Sequence, residues 1–164
     1  KGLPVRPTTD LAKESLFNIL NNRVDFDEMR ILDCFAGTGS MSYEFLSRGA
    51  GSLLAIDADA KCVQYISGIF KDLGATQARA ERTQVERYLA GPAEPFDLIF
   101  MDPPYAMAGQ DALVMRIMEG GWLHGDGLLV LEHASGNDFS GLKYFSELRK
   151  YGGSSFSFFE YDNE

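Results

Sequence analysis

Arg30-Ile31-Leu32-Asp33-Cys34-Phe35-Ala36-Gly37-Thr38-Gly39-Ser40 runs from a mostly apolar stretch into a loop with two glycines, and then into the helical pattern of Met41 to Ser47. An apolar run of this length is what a strand buried on both faces needs. Glycines after it let the chain turn tightly and leave room for a ligand to approach the backbone. The reading is a strand over Arg30 to Phe35, a turn at Ala36-Gly37-Thr38-Gly39, and a helix stopped by Gly49 and Gly51.

The alternation extends outward on both sides. Before it, Leu11 to Leu20 places Leu16, Ile19 and Leu20 on one helical face. After it come a strand at Leu53 to Ile56, a helix at Lys61 to Leu73 ending at Gly74, and a short strand at Gln77 to Ala80. A strand at Phe96 to Met101, a helix at Ala112 to Glu119 stopped by Gly120-Gly121, and a strand at Leu128 to Leu131 follow. Beyond Asn137 the helical period ends, and Ser146 to Tyr151 and Ser155 to Tyr161 read as antiparallel strands joined through Gly152-Gly153. Strands alternating with helices require right-handed crossovers onto a mostly parallel sheet with helices on both faces. Such sheets bind ligands at the carboxyl ends of their strands.

The totals bound the function. A chain of 164 residues with 45% hydrophobic and 24% charged residues is expected to form one domain over 1-164, with no apolar run long enough to span a bilayer. It starts at Lys1 with no basic-then-apolar leader, so the expectation is a soluble cytoplasmic protein, with something missing upstream. Cys34 and Cys62 lie in core-like segments and suit reduced thiols. A net charge of -9 argues, on charge alone, against binding a phosphate backbone. His124 and His133 are too isolated for a metal site, and no Cys or His pair has ligand spacing, so no metal is expected.

Three features carry chemistry. A dinucleotide fingerprint wants Gly or Ala three residues after Gly39, where this chain has Ser42, which lowers an NAD reading. Asp33, just ahead of the loop, suits a ligand bearing an amino group, such as the methionine part of S-adenosylmethionine (SAM), better than a pyrophosphate. Asp57 ends the next strand about twenty residues on, where a carboxylate accepts both ribose hydroxyls or stands as a solvated strand-end charge.

The third feature is Asp102-Pro103-Pro104-Tyr105. Two prolines remove two backbone donors and hold the main chain extended, so side chains on the loop are placed accurately. An exocyclic aromatic amine is a poor nucleophile because its lone pair is delocalised into the ring. Acceptors on its N–H groups, here the Asp102 carboxylate and the Pro103 carbonyl, draw the nitrogen towards pyramidal geometry and stabilise developing positive charge. Tyr105 offers a ring for stacking an extruded base.

Together with Arg6-Pro7-Thr8-Thr9-Asp10, Glu14-Ser15-Leu16-Phe17-Asn18, Leu46-Ser47-Arg48-Gly49-Ala50 and Gly121-Trp122-Leu123, these motifs resemble the RsmD family of bacterial 16S rRNA guanine-N2 methyltransferases over nearly the whole chain. The resemblance implies a Rossmann-like SAM-dependent methyltransferase fold, with a mostly parallel seven-stranded sheet and an antiparallel C-terminal strand. It implies a cofactor site of Thr8, Thr9, Asp33, Phe35, Gly37, Gly39, Asp57, Ala58 and Gln84, with Thr8 and Thr9 closing over SAM and Gln84 or a neighbour near its adenine. Asp102, Pro103, Pro104 and Tyr105 would serve the base, guanine 966 of 16S rRNA, presented in an assembling small subunit to a monomer that releases S-adenosylhomocysteine (SAH). The family normally carries Asp or Asn near Gln84, and a basic β-rich segment before Arg6 that would supply RNA-facing charge. Other readings are an amino-methyltransferase acting on adenine or a protein glutamine, and a SAM-binding RNA module without turnover.

Overall fold

A computed structural model describes residues 10–162 of the chain. In chain order the elements are α1 (Asp10–Asn21), β1 (Arg30–Cys34), α2 (Ser40–Ser47), β2 (Ser52–Asp57), α3 (Ala60–Asp72), β3 (Ala78–Arg82), α4 (Val85–Tyr88), β4 (Phe96–Met101), α5 (Gln110–Glu119), β5 (Leu123–Ala134), β6 (Phe145–Tyr151) and β7 (Ser154–Phe159).

The strands form one seven-stranded sheet in the order β3-β2-β1-β4-β5-β7-β6. Every pairing from β3 to β5 is parallel, and β7 runs antiparallel to both β5 and β6. The expected antiparallel C-terminal strand is therefore β7, inserted between β5 and the edge strand β6. Strand order reverses between β1 and β4, and a crevice forms at the carboxyl ends of strands at such a reversal.

Successive side chains on a strand point to opposite faces, so each central strand feeds two cores. Ile31, Leu98, Phe100, Leu128 and Val130 join Leu16 and Phe17 of α1, Phe45 of α2 and Ile66 and Phe70 of α3 in one layer. Leu32, Ile99, Met101, Leu129 and Leu131 join Val85 of α4, Val114 and Ile117 of α5, and Trp122 in the other. The two layers confirm helices on both faces. Asp33 and Asp102 continue the alternation onto the α1–α3 face.

Most element ends shift by a few residues, and three departures from the sequence reading have a physical reason. Cys34 ends β1, because Phe35 adopts a left-handed backbone conformation, φ 58°, that no strand contains. β5 begins at Leu123 rather than Leu128; Leu123 pairs with Phe96, and an irregularity carries the exposed His124-Gly125-Asp126 out of the ladder before Leu128 pairs with Leu98. The four-residue α4 was not anticipated, being too short to show a helical period.

Candidate functional site

Four loops meet at the carboxyl edge of the parallel strands and are hydrogen-bonded in a row. The Asp102 amide donates to the Cys34 carbonyl at 3.4 Å, joining the end of β4 to that of β1. The Ala36 amide donates to the Ile56 carbonyl at 3.0 Å, joining the glycine loop to β2. The Thr83 amide donates to the Asp57 carbonyl at 3.0 Å, bringing the loop after β3 alongside. Residues as far apart in sequence as Cys34 and Asp102 thus share one rim.

The glycine loop is built from unusual backbone. Phe35, Gly37 and Gly39 all have positive φ, at 58°, 59° and 81°. For glycine this costs little, but a non-glycine residue held there carries strain of the kind that gathers at ligand sites. At Gly39 a Cβ would stand 2.9 Å from Ile66 Cγ1, so the loop is pressed against α3 where only glycine fits. Ser40 then opens α2, whose cap position, Gly39, supplies no side-chain hydrogen bond to the helix.

Asp57 closes the far side of this loop. One carboxylate oxygen accepts from the Gly37 amide and the other from the Asp59 amide, each at 2.9 Å. A carboxylate has about four acceptor positions, so two donors fix its orientation and leave capacity for two ribose hydroxyls. Ala58 follows directly, its carbonyl accepting from Arg82 Nε at 3.2 Å. Gln84 is exposed at the cap of α4, one residue beyond the Thr83 amide that reaches Asp57. Asp57, Ala58 and Gln84 therefore lie together.

Asp33 is buried on the α2 side and accepts a 2.6 Å hydrogen bond from the Ser42 hydroxyl. Burial raises its pKa from 3.8 to about 7; the Ser42 hydrogen bond opposes the rise, and the Asp57 charge adds to it. Ser42, which the sequence reading used only to disfavour a dinucleotide, is the residue that holds Asp33.

Main-chain and side-chain bonds together hold the catalytic-loop candidates. The Pro104 carbonyl accepts from the Met107 amide at 3.0 Å and from Gln110 Nε2 at 3.3 Å, and the same Gln110 nitrogen reaches the Met107 carbonyl. Gln110 is buried at the start of α5 behind the loop. Tyr105 is 37% exposed, which leaves ring surface open, while its hydroxyl shares a 2.7 Å hydrogen bond with Ser154 at the start of β7. Pro103 is buried beneath them. Gln110 and Ser154 carried no sequence signal for this role.

Thr8 and Thr9 lie outside the described residues. His133 is buried; its Nδ1 faces the Ala134 carbonyl at 2.9 Å and must donate there, so Nε2 accepts from Ser157 at 2.7 Å. His124 is exposed near Asp97, which lies at the start of β4, away from the rim. His133 is thus fixed in the core by two hydrogen bonds. Cys34 and Cys62 are free thiols in the core. Among the described residues no three His, Cys, Asp or Glu side chains could hold a metal ion, and no helix is long and apolar enough to cross a membrane.

The rim therefore presents a glycine cradle, a carboxylate fixed by two amides, and a proline-stiffened loop with a carboxylate and an exposed ring. This set fits a nucleoside carrying an amino-acid tail on one side and a planar acceptor on the other.

Comparison with known proteins agrees with that geometry. A family model described as "Conserved hypothetical protein 95" matches residues 1–160. The chain is 40% identical over 136 residues to YlbH of Bacillus subtilis strain 168, a candidate rRNA methyltransferase by name, covering 80% of this chain and 73% of that protein. It is 32% identical over 128 residues to ribosomal RNA small subunit methyltransferase D of Escherichia coli strain K12, covering 78% of this chain and 64% of that one. The solved structure of yhhF of Escherichia coli, a candidate methyltransferase by name, superposes with a TM-score of 0.85 at 27% identity, over 99% of this chain and 91% of that chain. Matches thus span 64% to 73% of the length of these two sequence relatives.

Proposed function

This chain belongs to the RsmD family of methyltransferases, and on that premise we propose that it methylates the exocyclic N2 amino group of a guanine in 16S rRNA, guanine 966 by the family's pattern, with SAM as donor. The observation that carries the proposal is the meeting of Asp102 with the glycine loop. An amide-to-carbonyl bond joins the two at the reversal of strand order, so an amine held at Asp102 lies beside a nucleoside held at Gly37, Gly39 and Asp57. The small-subunit rRNA named by the Escherichia coli relative supports the substrate class.

The chain's residues divide the work. Asp57 would hold the ribose, Ala58 and Gln84 the adenine side, and Phe35, Gly37 and Gly39 the backbone cradle, with Asp33 on the side of the methionine tail. Thr8 and Thr9 would close over it. SAM, when bound, supplies an electrophilic methyl group on a sulfonium. Asp102 and the Pro103 carbonyl accept the two guanine N2–H bonds, turning the nitrogen lone pair out of conjugation and stabilising the positive charge that nitrogen acquires. Proton loss follows transfer, leaving N2-methylguanine and SAH. Pro104 keeps the loop extended, and Tyr105 stacks on the extruded base. No metal enters the scheme. A monomer acting in the cytoplasm on an assembling small subunit fits this reading, with RNA-facing charge supplied locally against a total of -9.

The test is acceptor identity. Small-subunit particles lacking the modification, protein-free 16S rRNA, duplex DNA and a glutamine-containing peptide are each incubated with the chain and methyl-labelled SAM, and the products are hydrolysed. Label in N2-methylguanosine from the particles or the rRNA is expected. Label confined to adenine or cytosine in DNA, or to a glutamine amide, would overturn the substrate.

A further inference from the structure

Lys13 sits near the start of α1 with its side chain 19% exposed, and its ammonium donates to Ser40 Oγ at 3.0 Å. Ser40 is the first residue of α2, directly after Gly39 of the cradle. The Glu44 carboxylate, one turn further along α2, is more distant at 3.9 Å. The chain thus holds a cation at the mouth of the glycine loop, beside Asp33, while Asp57, Asp59 and Arg82 lie on the β2–β3 side of the rim.

We propose that Lys13, together with Ser40, binds the α-carboxylate of the SAM methionine tail; the inference rests on the SAM reading above and assigns a residue to a group which that reading left without a partner. Strand order sets the path of the bound molecule. The ribose belongs to Asp57 on β2 and the reacting methyl to Asp102 on β4, so the bound molecule crosses the end of β1. Its tail leaves on the α1–α3 face, where Asp33 and the start of α2 lie. That tail carries one cation and one anion. Asp33 is the carboxylate suited to the ammonium, and Lys13 is the ammonium suited to the carboxylate. Ser40 can accept from Lys13 while turning its own hydroxyl proton towards the ligand. A charge-assisted hydrogen bond of this kind is among the stronger single contacts available to a small ligand.

The alternative role, a link between α1 and α2 through Ser40 and Glu44, would not depend on the ligand's carboxylate. Isothermal titration of the full chain separates the two roles by comparing SAH with its decarboxylated counterpart, which keeps the adenosine, sulfur and amine. The wild-type chain is expected to prefer SAH by roughly tenfold or more. Lys13→Met should weaken SAH by a similar factor, leave the decarboxylated ligand nearly unchanged, and so erase the preference. Lys13→Arg should retain most of it, and thermal melts of both variants confirm that they are folded. Equal weakening of both ligands in Lys13→Met, or unchanged SAH affinity, would overturn the assignment while leaving the SAM reading intact. Failure of the wild-type chain to bind either ligand would instead remove the SAM reading, and this inference with it.

Discussion

The two halves of the carboxyl rim are stabilised by different means. Around β1, β2 and β3 the loops are stitched mainly through main-chain amides: Ala36 on the Ile56 carbonyl, Thr83 on the Asp57 carbonyl, and Gly37 on the Asp57 carboxylate. Around β4, α5 and β7 the main-chain bonds of Asp102 and Met107 are joined by side chains that grip the loop: Gln110 on the Pro104 carbonyl and Ser154 on the Tyr105 hydroxyl. Backbone stitching tolerates most side chains but demands particular φ values, hence Gly37 and Gly39. Side-chain clamping lets a loop be re-aimed by one substitution. On the proposed function, the first half holds the methyl donor and the second faces the acceptor.

If that division holds, substitutions in one half should leave the other half's property alone. The largest effect is expected from Asp33, whose carboxyl is raised from 3.8 to about 7 by burial. The folded state then binds a proton that the unfolded state releases, so stability is greatest below about pH 4, falls as pH rises towards 7, and is level above it. About three units correspond to a loss of up to about 4 kcal/mol across that window. Denaturant titrations of wild type and Asp33→Asn between pH 4 and 8 should show this slope in the wild type and not in the variant. Equal slopes would remove Asp33 as the source.

Asp102→Ala should lower methyl transfer by about 10²–10³-fold, the usual consequence of losing a preorganised group aimed at developing charge, with SAH affinity almost unchanged. A parallel loss of SAH affinity in calorimetry would break the division between halves. Gly39→Ala places a Cβ 2.9 Å from Ile66 Cγ1 at φ 81°. Its cost of about 1–3 kcal/mol should appear as a lower melting temperature and weaker SAH binding, with any turnover that remains keeping its acceptor KM. Smallest of all, Ser154→Ala removes one neutral hydrogen bond, worth about 1 kcal/mol. It should raise the KM for the RNA acceptor a few-fold, leaving SAH affinity untouched; an effect on SAH instead would place Tyr105 in the wrong half.

The same division accounts for what could be read from the chain alone. Strands β1, β2 and β4 were legible because both faces are buried and each is a short apolar run, and the motifs sit where those runs stop. β5 was underestimated because the polar excursion at His124-Gly125-Asp126 interrupts its pattern, although Leu123 still pairs with Phe96. The backbone-built half was visible in its glycines, and Asp57 in its spacing. The side-chain half was visible only in the Asp102 to Tyr105 motif itself. Gln110 resembles any residue at a helix start, and Ser154 meets Tyr105 across 49 positions, a contact created by the placement of β7 beside β5. Lys13 and Ser40, 27 positions apart, were invisible for the same reason. The left-handed Phe35 had no compositional sign, since a phenylalanine gives no warning of positive φ.

The claim at the centre of the account is that Asp102 presents a guanine amine of 16S rRNA to a methyl donor held by the other half of the rim. It is tested most directly by mapping N2-methylguanine in 16S rRNA from cells lacking this protein. The account predicts that one N2-methylguanine disappears, returns when the wild-type chain is supplied, and stays absent when Asp102→Ala is supplied at equal abundance. Unchanged N2-methylation of 16S rRNA in the deficient cells, or full restoration by Asp102→Ala, would contradict it.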